Sequence, residues 1–102
     1  MAGFVQIIEF QTSRYDEVKQ LADDYRDKRT AEARGPMPLR STVTQDRKRP
    51  GVYLNIVEFE SYEAAMENSN RPDTNDFSQQ MMTLCDGAPR FYDLDVLESW
   101  TV

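Results

Sequence analysis

One pattern occurs twice in this chain. Ile7-Ile8-Glu9-Phe10-Gln11-Thr12 is echoed by Ile56-Val57-Glu58-Phe59-Glu60-Ser61. In each copy an apolar run ends on a residue able to cap a helix. A Tyr-acid pair then follows, Tyr15-Asp16 in the first copy and Tyr62-Glu63 in the second. A doubled strand-into-helix junction requires two βα halves related by an internal pseudo-twofold axis.

The rest of the chain is read around those junctions. Phe4 to Phe10 alternates and is rich in Phe, Val and Ile, which predicts strand β1. Ser13 is placed to cap the next helix, with Asp16 in a capping-box position. Val18, Leu21, Ala22 and Tyr25 recur with helical spacing and predict α1 from about Arg14 to Thr30 or slightly beyond. Asp16 and Glu17 in its first turn, and Lys28 and Arg29 near its end, complement the helix dipole. Gly35-Pro36-Met37-Pro38 should stop it. Leu39 to Gln45 reads as β2 and Val52 to Phe59 as β3, joined by the turn Asp46–Gly51. Ser61 should cap α2 (Tyr62–Asn68), and Asn70-Arg71-Pro72 should break it. Helix α3 then starts at Asp73 or Thr74, with Phe77, Met81, Leu84 and Cys85 on one face and a stop at Asp86-Gly87. Phe91 to Trp100 reads as β4. The order βαββαβ predicts a ferredoxin-like α+β domain over residues 1–102, with a four-stranded antiparallel sheet and its helices on one face.

Composition excludes several functions. At 102 residues the chain can bury roughly two-thirds of its unfolded surface, enough for one core. Its net charge is −6, which disfavours nucleic acid and anionic membranes as partners. No apolar run approaches the roughly 18 residues of a membrane span. Met1-Ala2-Gly3-Phe4 lacks the features of a signal peptide. The lone cysteine, Cys85, fits a reducing, cytoplasmic setting. The chain has no histidine, so Ser-His-Asp and Cys-His catalysis, haem held by His and most zinc sites are excluded. No metal and no cofactor are expected.

Strand alternation sorts side chains onto two faces. Phe4, Gln6, Ile8 and Phe10 share a face with Tyr53, Asn55, Val57 and Phe59. Val5, Ile7 and Glu9 share the other with Val52, Leu54, Ile56 and Glu58. The second set is the purer apolar one, so the helices are expected to cover it. Glu9 and Glu58 would then receive backbone N–H groups at the helix starts. The first set would be left exposed, and a second copy could cover it to form a C2 homodimer with a barrel between two sheets. With β1 and β3 read as parallel neighbours, the repeat pairs Gln6 with Asn55. Gln6, Tyr53 and Asn55 then form the polar side of a ligand cavity, or else a satisfied hydrogen-bond set within a dimer seam. Arg40, with Thr42 and Thr44 on its face of β2, could bind an anionic edge or could simply protect a sheet edge. Arg47-Lys48-Arg49 reads as a solvated turn, and Asp93 with Asp95 as surface charges. Cys85 is expected to be a packed thiol of raised pKa, and Trp100 to dock on a partner subunit or at the cavity mouth.

The two junctions, the stretch Val57-Glu58-Phe59-Glu60-Ser61-Tyr62-Glu63-Ala64-Ala65-Met66 and the β4 run resemble the dimeric α+β barrel superfamily. Within it they are similar to the antibiotic biosynthesis monooxygenase-like group, over nearly the whole chain. The resemblance implies a homodimer with a small-molecule cavity between sheet and helices. Activities within the superfamily include cofactor-free oxygenation and cyclisation of polyketides, haem degradation and lactone isomerisation. The haem-degrading branch uses an Asn on β1, a helical Trp and a His ligand. Here Ile8 stands at the Asn position, the only Trp is Trp100 and no His exists, so that site does not carry over. Quinone monooxygenases place Asn, Tyr, Trp and Arg in the cavity. Asn55, Tyr53, Trp100 and Arg40 are of those types, without a position-by-position motif. The resemblance therefore implies a cofactor-independent monooxygenase or cyclase of aromatic, polyketide-like molecules. A non-catalytic ligand-binding protein and a structural homodimer are the alternatives.

Overall fold

A computed structural model of the protein describes residues 2–32 and 37–101. Its elements are β1 (Phe4–Gln11), α1 (Tyr15–Glu32), β2 (Arg40–Gln45), β3 (Val52–Phe59), α2 (Tyr62–Ser69), α3 (Pro72–Leu84) and β4 (Arg90–Asp95). The expected stop at Gly35-Pro36 lies outside the described residues. The strands form one antiparallel sheet in the order β2-β3-β1-β4, with the two repeat strands at its centre. This is the ferredoxin-like α+β arrangement.

The repeat-equivalent residues Thr12 and Ser61 both act at their junctions. Ser61 Oγ accepts the Ala64 N–H at 3.1 Å and caps α2. Thr12 Oγ1 accepts the Arg14 N–H at 2.9 Å in a turn just before α1, whose first helical bonds go to the Arg14 carbonyl, so Ser13 is not the cap. Thr12 is buried, and its own hydroxyl donates to the Leu84 carbonyl at 2.6 Å, the last residue of α3. Next to it, the Asp86 N–H donates to the Gln11 carbonyl at 2.7 Å. The end of β1 is thus clasped to the end of α3. At the β2–β3 turn, Asp46 Oδ1 accepts the Lys48 N–H at 2.8 Å, and Gly51 takes a φ of +83°, where an L side chain would be strained.

The register confirms which residues share a face. Phe4 lies opposite Phe59, Gln6 opposite Val57, Ile8 opposite Asn55 and Phe10 opposite Tyr53. Two expectations are corrected here. First, β1 and β3 run antiparallel, so Gln6 and Asn55 are not partners. Second, the helices cover the aromatic face, not the purely aliphatic one. Tyr62 of α2 meets Phe4 edge-on at 5.3 Å, and Tyr15 of α1 stacks on Tyr53 at 4.5 Å. Phe4, Val57 and Phe59 are buried with Ala65 of α2. The physical reason is reach. Phenyl groups span the gap between a sheet and a helix layer, and each buried one contributes about 2–3 kcal/mol. Val5, Ile7, Leu54 and Ile56 make a flatter, half-buried surface on the far side. Glu9 lies on that side too, 3.6 Å from Arg49, and Glu58 is opposite Arg40 in the register, so neither meets a helix start.

Strand β4 ends at Asp95 rather than Trp100. Asp95 is already opposite Phe4, the first residue of β1, so the ladder has no further partner strand. One more bond, from the Val96 N–H to the Gly3 carbonyl at 3.1 Å, closes it.

The helix layer is tied together by a charge. Arg29 of α1 is only 2% exposed. Its Nη1 donates to Tyr25 Oη and to Asn68 Oδ1, each at 2.8 Å, and its Nε lies 4.0 Å from Asp73 Oδ2. Asp73 in turn accepts two bonds from Arg71, both at 2.9 Å. Those bonds, and then the charges of Arg71 and Arg29, hold the Asp73 carboxyl at about 2, below its ordinary 3.8. A depressed carboxyl stabilises the fold above its unfolded pKa, and that contribution fades as pH falls through the folded one. Asp73→Asn should therefore lower the unfolding free energy at neutral pH by about 2 kcal/mol at most. In urea titrations the gap between the two proteins should close as pH falls from 3.8 towards about 2. A gap unchanged across that window would show that Asp73 contributes through packing rather than charge.

Candidate functional site

Between the aromatic sheet face and helices α1 and α3 lies a cavity of about 600 Å³. Its floor is Ile8 and Phe10 of β1, Asn55 of β3, Ser41 and Val43 of β2, and Phe91 of β4. Its roof is a stripe of α1, namely Tyr15, Val18, Lys19, Ala22, Asp23 and Arg26, together with Phe77, Ser78, Met81 and Met82 of α3. Cys85, Ala88 and Pro89 close one end. The roof residues of α1 follow the i, i+3, i+4, i+7 spacing of one helical face. Helix α1 packs on α3 as well as on the sheet. Tyr25 and Phe77 make that helix-to-helix contact as a stacked pair 4.4 Å apart. A second stack builds one wall, with Tyr53 held between Phe10 at 5.5 Å and Tyr15 at 4.5 Å.

Few polar groups meet this apolar space. Ser41 Oγ donates to Asn55 Oδ1 at 2.9 Å, which fixes the amide. Among the described residues the amide nitrogen has no protein partner, so it is the donor available on the floor. On the roof, Asp23 accepts from Lys19 Nζ and from Arg26 Nη2, each at 2.7 Å. The Lys19 contact is the main cause of the lowered Asp23 pKa, and Arg26 adds to it. Burial, and then the charge of Asp86, raises the Cys85 thiol. Among the described residues no group of three or more His, Cys, Asp or Glu could hold a metal ion.

Of Gln6, Arg40, Tyr53, Asn55 and Trp100, the ligand-site candidates read from sequence, only Asn55 lines the cavity. Tyr53 stands behind it in the aromatic stack. Gln6 is bonded to Asp93 Oδ1 on the neighbouring strand at 3.1 Å. Arg40 is exposed and lies on the opposite sheet face. Trp100 lies beyond β4 and is 79% exposed in the protomer. Lys19, Asp23 and Arg26 were missed. Their signal was their spacing: they flank the Val18–Ala22 stripe, a position usually left to solvated charges.

No protein-family model matches the chain, and no curated protein matches it in sequence. Solved structures do match. SnoaB, a cofactor-independent oxygenase of Streptomyces nogalater, superposes with a TM-score of 0.77 at 14% identity, over 97% of each chain. A conserved Methanosarcina mazei protein gives 0.77 at 9% identity over 93% of each chain. A Caulobacter crescentus protein, provisionally assigned as an antibiotic biosynthesis monooxygenase, gives 0.74 at 20% identity, over 95% of this chain and 92% of its own. The chain shares the fold of these proteins over nearly its whole length. Within that fold this chain sets its cavity between the sheet and α1 and α3. Among the described residues no helix is long and apolar enough to cross a membrane.

The Cys85 thiol gives a direct probe of the cavity wall. At neutral pH it should react slowly with iodoacetamide in the native protein and quickly in denaturant, because its raised pKa keeps it a thiol. Cys85→Ala should cost about 1 kcal/mol in packing. Native labelling as fast as in denaturant would place the thiol outside the wall.

Proposed function

We propose that this protein is a cytoplasmic homodimer, each copy one domain over residues 1–102, that binds a small aromatic or polyketide-like molecule. It would oxygenate or cyclise that molecule without a metal or an organic cofactor. One observation carries the reading: a cavity of about 600 Å³ with aromatic and thioether walls and one oriented amide donor, Asn55. An apolar wall with a few placed polar groups is what small-molecule recognition needs. The similarity to SnoaB supports oxygenation as the chemistry. In a cofactor-free oxygenation the substrate ionises to an enolate. Its CH₂ becomes C=O with one oxygen atom of O₂, and the other oxygen leaves as water. A donor fixed beside the enolate oxygen stabilises that charge as it forms. Asn55 is assigned this role, and Tyr53 supports the wall. Gln6, which shares their sheet face, is assigned the outer rim.

The homodimer reading rests on the far face of the sheet. Val5, Ile7, Leu54 and Ile56 have no helix over them, and Leu94 beside them is 44% exposed. A second sheet would cover this surface. The cavity and the dimer seam then lie on opposite sides of the sheet, and Arg40 and Trp100 are assigned to the seam.

Two experiments test the reading. Anthrones incubated aerobically with the protein should change colour with stoichiometric oxygen uptake, and Asn55→Leu should slow this by about tenfold or more. Ligand-induced thermal shifts without turnover would instead mark a binding protein. Light scattering at micromolar concentration should give twice the chain mass, and deletion of residues 100–102 should lower that mass towards the monomer. A monomer in the intact chain would sink the dimer.

A further inference from the structure

The charged groups of the cavity are not balanced. Its one carboxylate and its one amide oxygen are already engaged. The Asp23 oxygens are taken separately, Oδ2 by Lys19 and Oδ1 by Arg26, and the Asn55 carbonyl oxygen is taken by Ser41. Beside the Ser and Tyr hydroxyls, N–H donors remain. These are the Asn55 amide on the floor and, on the roof, the N–H groups of Lys19 and Arg26 not directed at Asp23. The roof also carries net charge. All three charged lining residues lie on one stripe of α1, at positions 19, 23 and 26, and they sum to +1. The chain as a whole is −6, so this is local selection rather than general composition.

We propose that the cavity takes an amphipathic anion: an aromatic or alkyl body in the apolar space, with an ionised carboxylate or similar acid at Lys19 and Arg26. This rests on the ligand-binding reading above and specifies the ligand's charge. Charge-assisted bonds to a carboxylate are stronger than neutral ones, and the only carboxylate lining the cavity among the described residues is already held by Lys19 and Arg26. Lys19 and Arg26 are 58% and 65% exposed, so the attraction is sensitive to salt. Asp23 sets its strength, because it competes with the ligand for the same N–H groups.

The test uses anthracene-9-carboxylate and 9-anthracenemethanol, which share one ring system and differ in charge. Binding is followed by fluorescence at low salt. The carboxylate should bind about tenfold tighter than the alcohol, and added salt should narrow the ratio. Lys19→Gln with Arg26→Gln should abolish the preference and leave alcohol binding nearly unchanged. Asp23→Asn should strengthen carboxylate binding, a gain that damage to the fold would not produce. If both probes bind equally and none of the three substitutions changes their ratio, the charge inference is overturned while the cavity reading stands. If neither probe binds, and the carboxylate does not protect Cys85 from iodoacetamide, both fall.

Discussion

The helix layer depends on a buried guanidinium. Removing a charge from water is costly, and it is tolerated only where bonds and a counter-charge replace the lost hydration. Arg29 obtains these from three helices at once: Tyr25 on its own α1, Asn68 at the end of α2, and Asp73 at the start of α3. The arrangement fixes α1 relative to α2 and α3 with little help from the sheet. The helices can therefore stand away from the sheet centre without the roof falling apart. The cavity is the space left beside the apolar contacts that Tyr15, Tyr62 and Ala65 make with the sheet.

Much of the architecture was legible because it is written locally. The paired junctions marked β1 and β3 as equivalent, and their repeat-equivalent hydroxyls, Thr12 and Ser61, both bond backbone N–H groups there. Period-two alternation grouped Phe4, Gln6, Ile8 and Phe10 with Tyr53, Asn55, Val57 and Phe59. Alternation is blind to which side of the sheet a helix will occupy, and the aliphatic face was chosen for its purity. The structure follows size instead, with phenyl groups filling the helix–sheet gap. The end of β4 was misplaced because it is set by where β1 begins, a tertiary fact that residues 96–100 do not encode.

The site was less legible than the fold. Asn55, which lines the cavity, stood out in the sequence as an amide among apolar neighbours on a central strand. Tyr53 was rightly placed on the same face, but its ring is committed to the stack between Phe10 and Tyr15. Lys19, Asp23 and Arg26 look like any solvated helix charges, and they gain meaning only once α1 is seen to roof an empty space. Arg29 read as an ordinary base complementing a helix end. Nothing in its neighbourhood along the chain announces that Asn68 and Asp73, about forty residues on, will enclose it.

The clasp at Thr12 has a consequence for how a molecule enters. Two hydrogen bonds, from Thr12 to Leu84 and from Asp86 to Gln11, pin the end of α3 to the end of β1. Swinging α3 outward from that end would break both, at roughly 1 kcal/mol or more for each. The Thr12 N–H also bonds the Gly51 carbonyl, which anchors the same corner to the hairpin. That corner is the jamb rather than the door. Away from that corner, Lys19 and Arg26 are the lining side chains that solvent reaches, 58% and 65% exposed.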